Sequence, residues 1–358
     1  MSELLKTPLY QRQQELKTKN VSFCGWDMPM QFDGIIAEHG YCRDDVALFD
    51  TSHMGEFFFK GDINTSGINS ATSINIEALK VGKCKYGFLL NEDGGVIDDL
   101  IIYRLEEDEL MIVVNASRRD IDFKTLNSRI TSGVLEDRSL EFAKLDLQGP
   151  NAINTLQKYF DVNLEDLGFF SFVQTKIFNG NCLLSRTGYT GELGFELYID
   201  SKTSVKIWDS LLNDGVKPAG LGARDVLRLE MGYSLYGNDL SETISPLEAN
   251  LGMFINLKRD YVGKDALKKQ KENGLKRILI PFKTTSRRSA RKDFEVFQNE
   301  KKIGTVTSAA FSPILNVGIG LALVDTGLFE TEKSFELKDK RGSIEANRAT
   351  LPFIKINK

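Results

Sequence analysis

The chain has 358 residues, 41% of them hydrophobic and 27% charged, with a formal net charge of −4. That length is more than one ordinary core accommodates and predicts two or three domains of a soluble globular protein. The mild acidity argues against a surface built on phosphate contacts to nucleic acid, leaving only a local basic pocket open.

The N-terminal segment Met1-Ser-Glu-Leu-Leu-Lys-Thr-Pro8 has no apolar stretch, so no signal peptide is expected. Residues 5–18 read as a surface helix, and Cys24 to Phe32 as an irregular, aromatic-rich loop. Ile35 to Phe49 reads as helix, then turns into a strand ending at Phe59; residues 63–79 read as helix. Asn91-Glu-Asp-Gly-Gly95 is a turn by composition. It leads into a strand over Val96–Leu105, a turn over Glu106–Glu109 and a partner strand over Leu110–Asn115. Residues 118–131 predict a helix, Phe142–Gln148 a strand, and Gly149-Pro-Asn151 opens a further helix. Strands follow over Thr175–Arg186 and Gly194–Asp200, and helices over 201–214, 222–232 and part of 258–273. Beyond Gly274 the texture changes to short strands: 275–282, 294–298, 302–307, 318–324 and 334–337. That shift predicts a C-terminal all-β domain. The class is α+β and mostly antiparallel. No apolar run is long enough to cross a membrane as a helix.

Cysteines 24, 42, 84 and 182 are scattered without a CxxC pair, and histidine is limited to His39 and His53, so no metal site is expected. Free thiols fit a cytoplasmic protein. The chemistry must then run on carboxylates, arginine and the ligand's own groups. In Gly94-Gly-Val-Ile-Asp-Asp-Leu100, two aspartates occur in succession inside an apolar strand. Strand alternation sends Asp98 and Asp99 to opposite faces, so they are not a pair sharing one proton. One faces a pocket or solvent, the other links a neighbouring element, unless both lie in a bulge or a solvated strand start. In Gly194–Asp200, Phe195, Leu197 and Ile199 share a core face and Glu196, Tyr198 and Asp200 the other. Glu196 is either a solvated carboxylate or an acceptor of two parallel hydrogen bonds from an amidine-like edge. In the helix at 222–232, Asp225 and Arg228 are spaced for a structural pair, which leaves Arg224 freer to meet a ligand. His53 fits a buried hydrogen-bonded histidine at least as well as a catalytic one. The basic run Arg287–Lys292 is a solvated loop or a surface for an acidic partner.

Ten collinear segments resemble the aminomethyltransferase (T-protein) family of the glycine cleavage system. They include Gly25-Trp-Asp-Met-Pro29, Phe49-Asp-Thr-Ser-His-Met-Gly55, Gly94 to Leu100, Val113-Val-Asn-Ala116 and Leu147-Gln-Gly-Pro150. Arg186-Thr-Gly-Tyr-Thr-Gly-Glu192, Gly220-Leu-Gly-Ala-Arg-Asp225, Leu235-Tyr-Gly-Asn-Asp239 and Gly304-Thr-Val-Thr-Ser308 continue the series. The resemblance implies a three-domain cloverleaf: residues 1–50 with 135–220, residues 51–134 with 221–274, and a barrel- or jelly-roll-like domain over 275–358. It implies tetrahydrofolate in a central opening, as acceptor of a one-carbon group carried on the lipoyl arm of H-protein. Asp98 matches the family's key aspartate, with Asp99 its nearest rival. Glu196 would bind the aminopyrimidine edge of the pterin, and Arg224 would be a second ligand-binding residue. Met54, Tyr86, Asn115, Tyr189 and Tyr236 would line the folate pocket. Alternatives of the same fold are a tetrahydrofolate-dependent demethylase of a small methylated amine or sulfonium, and a non-catalytic folate-binding protein. The related iron–sulfur maintenance group carries a Lys-Gly-Cys-Tyr signature, whereas Asp260-Tyr-Val-Gly-Lys-Asp265 has no cysteine.

Overall fold

The computed structural model describes residues 3–340 and 342–356. Its architecture is α+β, with two antiparallel-rich sheets and a closed barrel. The first sheet has six strands, in the order Phe172–Ile177, Gly180–Ser185, Gly194–Ile199, Ala143–Gln148, Ala47–Asp50 and Lys217–Pro218. Its inner face carries Phe195, Leu197, Ile199, Leu145 and Leu147, packed on the helix Ser201–Asn213 through Trp208 and Leu211. That helix starts where Asp200 accepts from the backbone N–H of Lys202 and Thr203, a side-chain cap for two otherwise unpaired donors.

The second sheet has five strands, in the order Cys84–Leu90, Val96–Glu106, Glu109–Val114, Gly55–Lys60 and Val134–Asp137. Phe57, Phe59, Leu100, Ile102 and Ile112 form its core, closed by Leu126 of the helix Arg119–Arg129. The barrel closes six strands: Arg277–Thr284, Val317–Asp325, Lys301–Ser312, Glu295–Gln298, Phe335–Asp339 and Gly342–Arg348. The helix Leu221–Glu230 ties these layers together. It packs on the helix Ile35–Asp44, on the strand Trp26–Gln31 and on the barrel strand Lys301–Ser312. Its Arg228, fully buried, bonds Asp239 at 2.9 Å and Ser308 at 2.8 Å.

Several expected elements differ. Residues 19–31 form a hairpin, not a loop, because Cys24 and Gly25 both take positive φ, 50° and 84°, as a two-residue hairpin turn requires. Pro29 is accommodated in a two-stranded ribbon, where an edge position needs no donor. The helix from Ile35 stops at Asp44, and Ala47–Asp50, buried throughout, is drawn into the first sheet. The expected helix over 63–79 shrinks to Ile68–Ala71, with Ile63, Ile74 and Ile76 buried from irregular chain. The first helix is only Tyr10–Glu15.

Candidate active site

A cavity of about 1200 Å³ opens where both sheets, the helix Leu221–Glu230 and the barrel converge. Small-molecule sites are commonly about 300–1,000 Å³, so there is room for a ligand with a ring system and a tail. Met54, Tyr86, Asn115, Tyr189, Glu196, Arg224 and Tyr236 all line it, as the sequence reading expected of a single pocket.

Asp98 does not line it. Opposite Leu89 and Leu90 the pairing slips by one residue at Ile97, and the strand then presents Asp99 to the cavity and Asp98 away from it. Asp98 is fully buried and accepts from the Asn115 backbone N–H and the Asn115 side-chain amide, both at 2.9 Å. The assignment of the reacting carboxylate to Asp98 is therefore corrected at the level of geometry: the member of the pair that can touch a ligand is Asp99. Tyr86 Oη donates to Asp99 Oδ2 at 3.0 Å, and Asn115 Nδ2 to Asp99 Oδ1 at 2.8 Å. Burial and the neighbouring Asp98 charge push the Asp99 carboxyl up to about 7. Burial also raises Asp98, to about 6, against the opposing pull of its hydrogen bonds. Tyr86, buried beside Asp99, stays a neutral phenol, with its pKa raised by the loss of solvent.

On the six-stranded sheet Glu196, another cavity residue, is nearly inaccessible, and its oxygens already have partners. Lys144 Nζ lies 2.7 Å from Oε1, and Thr187 Oγ1 donates to Oε2 at 2.6 Å, with the Tyr103 and Tyr198 hydroxyls at 3.3 Å. Lys144 also meets Asp146 Oδ1 at 3.1 Å, and Arg224 Nη1 meets Asp146 Oδ2 at 2.7 Å. Arg224 is thus not free, as its spacing had suggested; it bonds Asp146 while stacking 4.9 Å from the Tyr189 ring centre. The Asp225–Arg228 pair, expected from spacing, is present at 2.8 Å. Burial disfavours the Lys144 charge, but Asp146 and Glu196 outweigh it and hold its pKa above the ordinary value. Asp146 is held low by Lys144 and Arg224 despite its burial.

His53 lines the same cavity, and its Nδ1 is buried without a hydrogen-bond partner among the described residues. Burial, then the nearby Arg224 and Lys144 charges, push its pKa down to about 3, so it is a neutral imidazole. Tyr189 stacks on Tyr233 with ring centres 5.9 Å apart and donates to the Ser234 carbonyl. Tyr236 lies under the Arg118 guanidinium at 5.1 Å.

Residues 9–259 match the GCVT N-terminal domain, and residues 277–355 the glycine cleavage T-protein C-terminal barrel domain. The chain belongs to the glycine cleavage T-protein family. It is 43% identical to an aminomethyltransferase of Listeria innocua over 359 residues, covering 99% of each chain. It is 41% identical to an aminomethyltransferase of Thermosipho melanesiensis, covering 97% of this chain and 96% of the relative. Its fold overlays the crystal structure of glycine cleavage system aminomethyltransferase T from Bartonella henselae with a TM-score of 0.92 and 30% identity, covering 99% of each chain. The three-part α+β architecture with a C-terminal barrel agrees with that T-protein structure. Among the described residues no helix is long and apolar enough to cross a membrane, and no group of acidic, histidine or cysteine side chains is placed to hold a metal.

Sequence reasoning missed Lys144 and Asp146. They alternate with Ala143, Leu145 and Leu147 along the strand Ala143–Gln148, and that alternation was the available signal. What it lacked was register: Glu196 pairs with Asp146 and Tyr198 with Lys144, which sets carboxylate against carboxylate until Lys144 bridges them.

Proposed function

We propose that this T-protein family member is an aminomethyltransferase of the glycine cleavage system. It transfers the methylene of aminomethyl-dihydrolipoyl H-protein to tetrahydrofolate, giving 5,10-methylenetetrahydrofolate, ammonia and the free dihydrolipoyl thiol. The observation that carries this reading is a single cavity lined both by an inward carboxylate, Asp99, and by the Glu196–Lys144–Arg224 cluster. Tetrahydrofolate supplies the nitrogens that take up the one-carbon unit. The donor set fits a reduced pterin. Glu196 would accept from an aminopyrimidine edge by sharing its Oε1 with Lys144, Lys144 and Arg224 would face the ring carbonyl, and neutral His53 offers an unpaired Nδ1. The Tyr189, Tyr233 and Tyr236 rings give apolar walls for the ring system and linker.

Asp99 then performs the part of the chemistry that belongs to the protein. The carbon being transferred becomes electron-poor as ammonia departs, and a carboxylate fixed by Tyr86 and Asn115 stabilises that positive charge without reorganising. Its pKa of about 7 also lets Asp99 exchange a proton with a departing amine near neutral pH. No protein nucleophile is needed, which agrees with a cavity whose one lining histidine, His53, is made a weak base by burial, its pKa pushed down to about 3. The same reading divides the chain into three units, each built on one sheet. The boundary expected after residue 134 belongs instead after Asp137, because Val134–Asp137 pairs with Phe57–Lys60 in the five-stranded sheet.

The test is to mix the purified protein with aminomethylated H-protein and tetrahydrofolate and measure ammonia. Release no faster than the uncatalysed rate would overturn the proposal. Methylated amines and sulfonium compounds are run in parallel, and turnover of those alone would assign the demethylase reading instead.

A further inference from the structure

The carboxyl group of Asp122 poses a problem that the cavity residues do not solve. It sits in the first turn of the helix Arg119–Arg129, on the inward stripe shared with Leu126, and is fully buried. Neither of its oxygens receives a hydrogen bond from any donor among the described residues. Its neighbour within hydrogen-bonding reach is another carboxyl, Asp98, itself fully buried. Two buried ionised carboxylates in contact repel, and leaving both oxygens of one without a donor adds a desolvation penalty. One proton between them removes both problems, since Asp122 then becomes the donor that Asp98 lacks on that side.

Asp98 passes that arrangement on. Asn115 Nδ2 reaches Asp98 Oδ1 at 2.9 Å and Asp99 Oδ1 at 2.8 Å, so a single side-chain amide joins the hidden carboxylate to the cavity carboxylate. The Asn115 backbone N–H holds Asp98 Oδ2 as well, which leaves Asp98 no freedom to turn. We propose that Asp98 and Asp122 hold one proton between them and, through Asn115, act as positioning residues that set the place and charge of Asp99. The inference builds on the aminomethyl-transfer reading above only for its kinetic arm. Its electrostatic surroundings are Asp99 on the same strand, Tyr86 on the neighbouring strand, Arg118 before the helix and Tyr236 beneath the Arg118 guanidinium. Glu242 binds Arg118 at 2.5 Å and so diverts much of that one cation. Burial and Asp98 together push the Asp122 carboxyl up to about 11, in keeping with its being the proton's holder.

The sign follows. An Asp122 that keeps its proton when folded but ionises when unfolded contributes stability that is lost as pH rises above about 4, through neutrality and toward its folded pKa. Asp122→Asn presents an amide donor to Asp98 at every pH and escapes that loss. The variant is expected to melt above the wild type, with the gap widening from about pH 6 to about pH 9. A gap that stays constant or narrows with pH overturns the shared proton, whatever the enzyme turns over. In the aminomethyl assay, Asp122→Asn is expected to keep most of the wild-type kcat and its pH profile. Asp122→Ala removes the donor, so Asp98 takes up a proton of its own and the charge beside Asp99 disappears. Its kcat is expected to fall about tenfold or more, with KM for tetrahydrofolate little changed and the acid limb moved to lower pH. Equal pH profiles for the Asn and Ala variants would overturn the positioning role. Absence of turnover in the wild type would count against the aminomethyl-transfer reading and leave the melting result to decide the proton.

Discussion

Lys144 Nζ stands 2.7 Å from Glu196 Oε1 and 3.1 Å from Asp146 Oδ1, a single buried ammonium between two carboxylates that face each other across paired strands. Lys144→Met keeps the volume and removes the charge. Asp146 then keeps Arg224 as its cation while Glu196 keeps only hydroxyl donors, and the loss of a buried partner typically costs about 3–5 kcal/mol. Urea unfolding checks this, and a midpoint equal to the wild type would mean that the cluster reorganises at no cost.

Glu196→Gln tests the ligand side of the same cluster. The amide cannot accept two parallel bonds from an aminopyrimidine edge and leaves Lys144 with Asp146 only. Tetrahydrofolate affinity is expected to fall on the order of tenfold or more, the loss of a hydrogen bond to a charged group being about 1.5–3 kcal/mol. Fluorescence titration with folate reads the effect, and unchanged affinity would place the pterin elsewhere in the cavity.

Asp99→Asn preserves shape and the Tyr86 contact but removes the charge at the cavity wall. Its kcat is expected to drop on the order of 100-fold while the dissociation constant of tetrahydrofolate stays near the wild-type value. Asp98→Asn, behind Asn115, is expected to be the milder change. The reverse ranking in steady-state kinetics would return the reacting role to Asp98.

Asp99 also makes a pH prediction. Its folded pKa is raised to about 7, so the folded protein holds a proton that the unfolded chain has lost above about 4. Stability from this group is present at low pH and declines as pH rises between those values. Melting temperatures of Asp99→Asn and the wild type, compared from about pH 4 to about pH 8, should diverge in favour of the variant as pH rises.

Arg228 is the joint between the cavity and the barrel, bonding Asp225, Asp239 and Ser308 while fully buried. Arg228→Met removes the cation from buried Asp239, which keeps only neutral donors, and is expected to destabilise by about 3 kcal/mol or more. Hydrogen exchange should show the barrel strand Lys301–Ser312 losing protection first; uniform loss across the chain would mean that the barrel is not separately hinged there.

Much of the fold was legible where a local signal matched the tertiary outcome. The alternation of Phe195, Leu197 and Ile199 predicted one core face of that strand, and they pack there; the other face is also buried, with Tyr198 in a second cluster beside Tyr103 and Phe172 and Glu196 on the cavity. The texture change near Gly274 marked the barrel, although the strand Gly342–Arg348 that closes it was not seen. The hairpin at 19–31 escaped because Cys24 in a left-handed turn has no compositional mark. The short strand Ala47–Asp50 read as the end of a helix, because a strand buried on all sides shows no period of two.

The order of residues alone determined the family, the set of side chains that would gather and the opposite orientation of Asp98 and Asp99, since those depend on local spacing and strand alternation. Only the tertiary structure decided which aspartate meets the cavity, because that depends on the one-residue slip at Ile97 and on which side of the strand the helix with Asp122 packs. It also decided that Glu196 and Arg224 come with charge partners. Lys144 and Asp146 lie far from them in the chain and reach them through strand register, a long-range property that no short window of sequence contains.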